Sequence, residues 1–503
     1  MTPAERTPVL IGIGLASCRE DDPTRALDPM DLMHTAVAAA GRDAGHAAAL
    51  SGVQYIAVPR GRWTYRNPAG EIATRIGAPH ATTVLSSVGV LQQSLLGEAC
   101  ARIARGEAHT TLVTGADAGY RLLRAQLAGV ELRDRDQNDD PDVFIAPKDE
   151  LRHPVELRAG LKMPVGLYAM MESAYRARQA WSLDEHRDRL AALYARFSTI
   201  AATNPHAWHR ESYHAAQIRT ASPHNPMQAF PYTRLHVSTW NVDQAAALLF
   251  CSAARAEALG IPRARWIYAL ASSESNHMVP VSARADLSSC PGARITAQAA
   301  LHGAQVDVAD LNLIELYSCF PVAVETYAEA LGLSLERDLT VTGGMPFAGG
   351  PYNNYVLQAS ARAAELLRAG SQGTALVGSV SGVLTKQGFG LWSTLPATRP
   401  FVHADVSREV AAGLATCEVL DGYHGAATVA GYTVLHGRDQ TPRGVALLNT
   451  PTGQRVLATS DEPNLVATMQ SEEWVGRTLR IAGTSLMWDR DLDQTRTGAR
   501  QAR

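Results

Sequence analysis

Two stretches of the chain, 264 residues apart, carry the same unit of helix end, glycine and strand. Ile103-Ala104-Arg105-Gly106 leads to Leu112-Val113, and Leu367-Arg368-Ala369-Gly370 leads to Leu376-Val377 in the same register. In that register Gly89 falls opposite Asn353. A unit repeated at such a distance implies two copies of one supersecondary structure, so a duplicated body is expected. At 503 residues the chain also exceeds what one hydrophobic core organises, and two or three domains are expected.

The flanking pattern gives the fold class. Val9–Ile13, Val53–Val58, Thr82–Ser87 and Thr110–Thr114 read as strands. Helical stripes follow Asp28-Pro29 and run from Gly89 to Gly106. Strands alternating with helices predict a parallel α/β architecture. The pattern breaks at Tyr120, where charge and proline increase through an acidic stretch at Asp134–Asp142, and it returns at Val237. A connection that long predicts an inserted domain with its own helices, one of them Leu183–Thr203. Strands are predicted again at Ala245–Cys251, Trp266–Ala271, Leu311–Leu316 and Thr374–Val377, with Val383–Trp392 as a hairpin edge. Beyond Arg408 only short strands between turn residues remain, which predicts a small β-barrel. The expected domains are therefore 1–119, a loop domain at 120–236, a second α/β half at 237–407, and a β domain with a flexible tail at 408–503.

Composition narrows the function classes. The chain is 46% hydrophobic and 19% charged, with a net charge of −3 and no block of like charges. No nucleic-acid partner is expected, because phosphate binding needs net positive potential. No apolar run is long enough to span a bilayer, and no secretory signal opens the chain, so neither a membrane partner nor export is expected. The six cysteines lack CxxC spacing; reduced thiols and a cytoplasmic location are the expectation. His206, His209, His214 and His224 fit no common zinc spacing, and no metal is expected.

The stretch with the densest backbone signal is Thr342-Gly343-Gly344-Met345-Pro346-Phe347-Ala348-Gly349-Gly350-Pro351, followed by a helix to Gly370. Glycines ahead of a helix let backbone N–H groups approach a ligand, and a helix start favours negative charge.

Four stretches resemble the thiolase superfamily, nearest to the sterol-carrier-protein thiolases and the actinobacterial thiolase-like proteins of type 1. They are Ser86-Ser87-Val88-Gly89, Asn241-Val242-Asp243-Gln244-Ala245-Ala246-Ala247, Glu315-Leu316-Tyr317-Ser318-Cys319-Phe320, and Gly349-Gly350-Pro351. The resemblance covers roughly residues 8–400, and the tail resembles the additional C-terminal domain of the type 1 proteins. It implies a thiolase fold: duplicated halves in five αβαβα layers, a loop domain on the coenzyme A side, and an added OB-like barrel. It also implies a coenzyme A thioester as ligand, an acyl-CoA of lipid metabolism, with no further cofactor. Homodimer and monomer both stay open.

The same resemblance puts Gly89 where the family has its nucleophilic cysteine and Gly350 where it has a histidine. Val380-Ser381-Gly382 stands for the second cysteine motif, and Tyr317 for the residue that holds a water. Covalent acyl transfer needs a nucleophile beside a base, so an ordinary acetyl-CoA acetyltransferase is not expected. Gly89, Gly350, Asn353 and Ser381 are the expected substrate-binding positions. The alternative is an aldolase or C–C lyase acting on a coenzyme A thioester, with Tyr317 and Tyr352 moving protons. A tyrosine doing so near neutral pH needs its pKa lowered by about 3 units. Cys319 is expected to be a buried thiol.

Overall fold

The computed structural model describes residues 2, 4–46, 48–370, 372–396, 398–437 and 441–487. Five strands build the first half: β1 (Pro8–Ser17), β2 (Tyr55–Pro59), β3 (Thr82–Ser86), β4 (Thr110–Ala118) and β5 (Asp243–Ser252). They lie in the order β3-β2-β4-β5-β1, with β2 parallel to both β3 and β4 and β5 antiparallel to its neighbours. Four strands build the second half: β6 (Ile267–Ser275), β7 (Leu313–Glu315), β8 (Thr374–Ser381) and β9 (Lys386–Ser393). Their order β7-β8-β9-β6 repeats β2-β4-β5-β1 of the first half. Residues 339–342 run beside β7 without forming a fifth strand, joined by Leu316 N–H to the Leu339 carbonyl. β1 and β6 pair at Val9–Tyr268 and Leu10–Ile267, which fuses the two halves. Strands such as β2, buried along its whole length, are continuous apolar runs because helices cover both faces.

The helices used below are α1 (Pro29–Ala44), α2 (Gln92–Arg105), α3 (Gly119–Ala128), α4 (Pro164–Arg178), α5 (Leu183–Thr203), α6 (Pro291–Ala304), α7 (Pro321–Leu331), α8 (Tyr355–Ala369) and α9 (Pro463–Ser471). α1 covers the first half and α6 the second, whereas α2 and α8 touch strands of both halves and form the layer between them. α1 starts as its sequence predicts, with Asp28 accepting from Asp31 N–H and Pro29 in the first turn. The repeat is not followed in every torsion: Gly106 closes α2 in the left-handed region at φ +78°, while Gly370 closes α8 in an extended conformation.

The hairpin expected at an edge is interior. β9 is bonded by β8 on one side and β6 on the other. Phe389, Leu391 and Trp392 are buried there, and Gly388 lets α2 approach, since a Cβ at that position would stand 2.8 Å from Gln93 Cβ.

The acidic stretch of the loop region closes on the first half. Asp134 accepts from the Thr64 N–H and hydroxyl, Asp140 meets Arg66, and Asp142 accepts from the Thr83 N–H and hydroxyl. Past it, strand Val143–Ile145 pairs with β3 at the sheet's end. α4 and α5 pack beyond.

Five strands close the C-terminal barrel: β10 (Tyr423–Leu435), β11 (Arg443–Asn449), β12 (Arg455–Ser460), β13 (Thr478–Gly483) and β14 (Ser485–Met487). The ring of pairs runs β10-β11-β12-β14-β13 and back to β10. Val429, Val434, Leu448, Val456, Ile481 and Trp474 fill it, under α9, a helix absent from the sequence expectation. The barrel docks on α4: fully buried Arg176 donates to Tyr432 Oη at 3.0 Å and to Glu473 at 2.9 Å. Two of the barrel's own arginines are engaged as well, Arg443 with Asp461 and Arg455 with the carbonyls of Arg284 and Ala285. Residues 488–503 of the expected β domain and tail lie outside the described residues. Among the described residues no helix is long and apolar enough to cross a membrane.

Candidate functional site

The duplication brings two helix starts to the middle layer, and both carry residues marked by the sequence. Gly89 lies in the turn between β3 and α2 at φ +96°, a conformation in which a side chain is strained. A Cβ there would stand 3.1 Å from Pro147 Cγ and 3.3 Å from Leu151 Cδ1, so the loop after Val143–Ile145 roofs this position. Leu91, the N-cap of α2, has no side-chain acceptor; the Ser94 N–H donates to the Leu91 carbonyl, and among the described residues no side chain caps the first turn.

Facing this turn is Lys386, the first residue of β9. It is 2% exposed, and its Nζ donates to the Gly89 carbonyl at 3.1 Å. It stands opposite Ser381 across the β8–β9 hairpin, so one residue links the cysteine-like motif at 380–382 to the Gly89 turn. Burial lowers the Lys386 pKa from 10.5, against the opposing pull of Asp149 and Glu274, and neither carboxylate is within ion-pair distance. The hairpin loop is strained: Val383 and Leu384 both have positive φ, 54° and 70°, and the Arg284 guanidinium holds the Gly382 and Val383 carbonyls.

The start of α8 is built differently. The glycine-rich turn approaches α5 so closely that a Cβ at Gly343, with φ +98°, would lie 2.4 Å from Ala201. The turn is tied down by Trp208 N–H to the Ala348 carbonyl, His209 N–H to Phe347, and Thr239 N–H to Met345. The Gly350 N–H, expected to face a ligand, donates instead to the Thr239 carbonyl at 2.8 Å. A Cβ at Gly350 would stand 2.1 Å from Ser238 Oγ. The helix itself begins only at Tyr355. Gln92 Oε1 accepts from the Val356 N–H at 2.7 Å, and Gln92 Nε2 donates to Asn353 Oδ1 at 3.4 Å. Glu315, wholly buried, accepts from the Val341 and Thr342 N–H groups and from the hydroxyls of Thr340, Thr342 and Tyr355. Burial raises its pKa against those hydrogen bonds. A cavity of about 70 Å³ behind the turn, bordered by Asn204, His206, Gln244, Thr342, Gly349 and Arg362, is too small for an acyl chain.

The remaining expected residues separate. Tyr317 is buried with its ring edge-on to Tyr355 at 5.6 Å between centroids, and its hydroxyl makes no hydrogen bond among the described residues. Burial raises its pKa, the opposite of what a base requires. Tyr352 is 37% exposed and lies under the Arg62 guanidinium, 5.6 Å from the ring centroid. Ser381 is half-buried at the end of β8, and Asn353 is buried with its Nδ2 unpartnered. Burial pushes the Cys319 thiol up to about 12, which fits a packed thiol. Asp243, in the second resembling stretch, caps α3 by accepting from the Tyr120 and Arg121 N–H groups.

The loop histidines do not gather. His206 pairs with Glu365 at 2.9 Å, and His214 caps a short turn. Arg219, one of the cations in the loop region, is spent on Asp184 and Asp188. Among the described residues, the group close enough to share a metal is Glu172, His186 and Glu325, all fully buried between α4, α5 and α7. Both Glu172 oxygens already have partners, His186 Nε2 at 2.8 Å and Tyr232 Oη at 2.5 Å. Burial and the facing Glu172 hold Glu325 well above the usual carboxylate range, while His186 beside Glu172 draws that carboxyl below it. This network joins the loop region to the second half.

Lys386 is the residue that sequence reasoning missed. Its signal was a lone lysine opening a buried strand, and its partner Gly89 is 297 residues away.

Comparison with known proteins agrees with this architecture. Residues 405–484 match the model of the thiolase-like protein type 1 additional C-terminal domain. The chain is similar to a monomeric SCP2-thiolase like protein type 1 from Mycobacterium smegmatis, at 27% identity and TM-score 0.80, over 96% of this chain and 99% of that one. An Ltp2-ChsH2(DUF35) aldolase matches at 18% identity and TM-score 0.60, over 79% and 100%. An acetyl-CoA acetyltransferase from Syntrophomonas wolfei matches at 17% and 0.54, over 77% and 99%. The fold is that of the thiolase superfamily, with the barrel of the type 1 thiolase-like proteins.

Proposed function

We propose that the chain binds an acyl thioester of coenzyme A and does not carry out thiolase chemistry. The observation that carries this reading is at the two helix starts of a thiolase fold. The positions matched to nucleophile and histidine are Gly89 and Gly350, and the space a side chain would occupy is filled by Pro147 and Leu151 at one and by Ser238 and Met345 at the other. Neither thiol nor imidazole stands at either turn, and Cys319, the cysteine nearest the motifs, is held as a thiol. Without a thiolate beside a base the acyl-enzyme route is closed.

The ligand class rests on the family likeness, and the loop region beyond α3 is where coenzyme A would lie. Calorimetric titration with coenzyme A and acetyl-CoA tests binding: the expected result is a saturable heat, and no heat with either overturns the reading. Incubation with acetoacetyl-CoA and coenzyme A tests the second half, with no acetyl-CoA formed as the expected result.

The lyase alternative gains nothing from the geometry, because Tyr317 is pushed away from basicity and Tyr352 sits on the surface against Arg62. We further read the chain as a monomer, as the M. smegmatis protein is described. Its own strand Val143–Ile145 covers the edge of β3, which leaves only a three-residue edge for a second copy to pair with. Light scattering that returned twice 53.9 kDa would contradict this.

A further inference from the structure

Two carboxyl groups and an imidazole meet where three helices pack. Glu172 comes from α4, His186 from near the start of α5 and Glu325 from α7, and none of the three is more than 1% exposed. One ligand atom from each lies within 4.8 Å of the other two. His186 Nε2 and Glu172 Oε1 are 2.8 Å apart. Ligands about 2.1 Å from one ion stand about 3 Å from each other, so this spacing suits two ligands of a common centre.

The charges here do not balance without a further cation. His186 can offset one carboxylate, and Glu325 Oε2 has no donor among the described residues. Burial and the facing Glu172 both favour a proton on Glu325. Buried carboxylates are otherwise kept where they are paired or bind a metal. A second unpartnered group lies beside the cluster. His236 is 2% exposed, its Nδ1 meets Thr233, and its Nε2 has no partner among the described residues. Its ring centroid is 6.2 Å from that of Tyr232, whose hydroxyl donates to Glu172 Oε2 at 2.5 Å. That hydroxyl is the kind of outer partner that orients a ligating carboxylate. Oxygen and imidazole donors without a thiolate suit zinc or manganese(II) over soft ions, and the imidazole disfavours magnesium and calcium.

We propose that Glu172, His186 and Glu325 form a structural site for one divalent transition-metal ion, which clamps the loop region to the second α/β half. Binding expels the Glu325 proton to solvent and leaves the His186 ring proton on Nδ1. No redox change is involved. The cluster is sealed, so the ion enters as the chain folds. The proposal is independent of the thioester reading, since neither glycine turn contributes a donor.

The test expresses the untagged full-length protein in minimal medium supplemented with zinc, manganese or magnesium. A brief chelator wash strips surface ions, and elemental mass spectrometry counts what remains. The expected result is about one equivalent of zinc or manganese per chain and no retained magnesium. Glu325→Gln can donate to Glu172 without an added proton, so it is expected to fold and to lose the metal. Less than about a tenth of an equivalent in wild type, with zinc and with manganese alike, overturns the site, as does full occupancy in Glu325→Gln. Pulsed EPR of manganese-loaded wild type is expected to show coupling to an imidazole nitrogen. A spectrum without that coupling overturns the site even where the variant does not fold.

Discussion

The starts of α2 and α8 are related by the 264-residue repeat, yet their orphan N–H groups are met differently. At α8, Gln92 reaches across the middle layer to the Val356 N–H. Gln92 and Val356 are themselves a repeat pair, and valine cannot return the bond, so the start of α2 has no side-chain cap. Around α8, Glu315 and the Gly350 turn consume their donors internally. Around α2, Lys386 donates to the Gly89 carbonyl, and Ser94 in the first turn donates its N–H to the Leu91 carbonyl and its hydroxyl to Glu274. Buried polar atoms without a partner among the described residues stand at the α8 start, on Asn353 and Asn354, while Lys386 Nζ beside the α2 start has the Gly89 carbonyl. Both glycine turns are filled, by Pro147 and Leu151 at Gly89 and by Ser238 and Met345 at Gly350, so what differs is the cap: α8 is closed by Gln92 and α2 stays open.

Substitutions on the closed side should cost stability. Glu315→Leu leaves the Val341 and Thr342 N–H groups buried without an acceptor and is expected to lower unfolding free energy by about 3–5 kcal/mol, measured by urea denaturation. A loss below about 1 kcal/mol would show that the turn does not depend on it. Gln92→Leu, which strips the α8 cap while keeping volume, is expected to cost about 1–3 kcal/mol.

On the open side the sign reverses. Lys386→Met removes a buried ammonium bonded to a carbonyl and not to a carboxylate, and the protein is expected to be as stable as wild type or more stable by about 1 kcal/mol. A marked loss would mean that the ammonium is compensated within the fold. The smallest effect is in pH. The Lys386 pKa lies below its unfolded value of 10.5, so the unfolded chain binds more protons in the window between the two. Its cost is fully present below the folded value and is relieved as pH rises toward 10.5. Wild type should therefore gain on Lys386→Met through that alkaline window, which a pair of melting curves against pH would show.

The parts of this account that were legible in sequence are those written in local pattern. Val9–Ile13, Thr110–Thr114 and Thr374–Val377 are apolar runs between turns, and the repeat of Gly106 and Gly370 announced the duplication. The barrel strands showed as short runs between turn residues. The glycine-rich turn at 342–351 was visible, but its purpose was not. A glycine needed to clear Ala201 looks the same in sequence as one needed to admit a ligand. Lys386 was invisible as a site residue because its meaning comes from Gly89, which tertiary structure alone brings within 3.1 Å. Reading the β8–β9 hairpin as an edge hid it further, since a lysine on an edge strand is ordinary.

The most direct test of the proposed function is to incubate the protein with acetoacetyl-CoA and coenzyme A after calorimetry has followed acetyl-CoA binding. The account predicts a saturable heat and no acetyl-CoA formed. No heat, or acetyl-CoA formed by the protein, would contradict it.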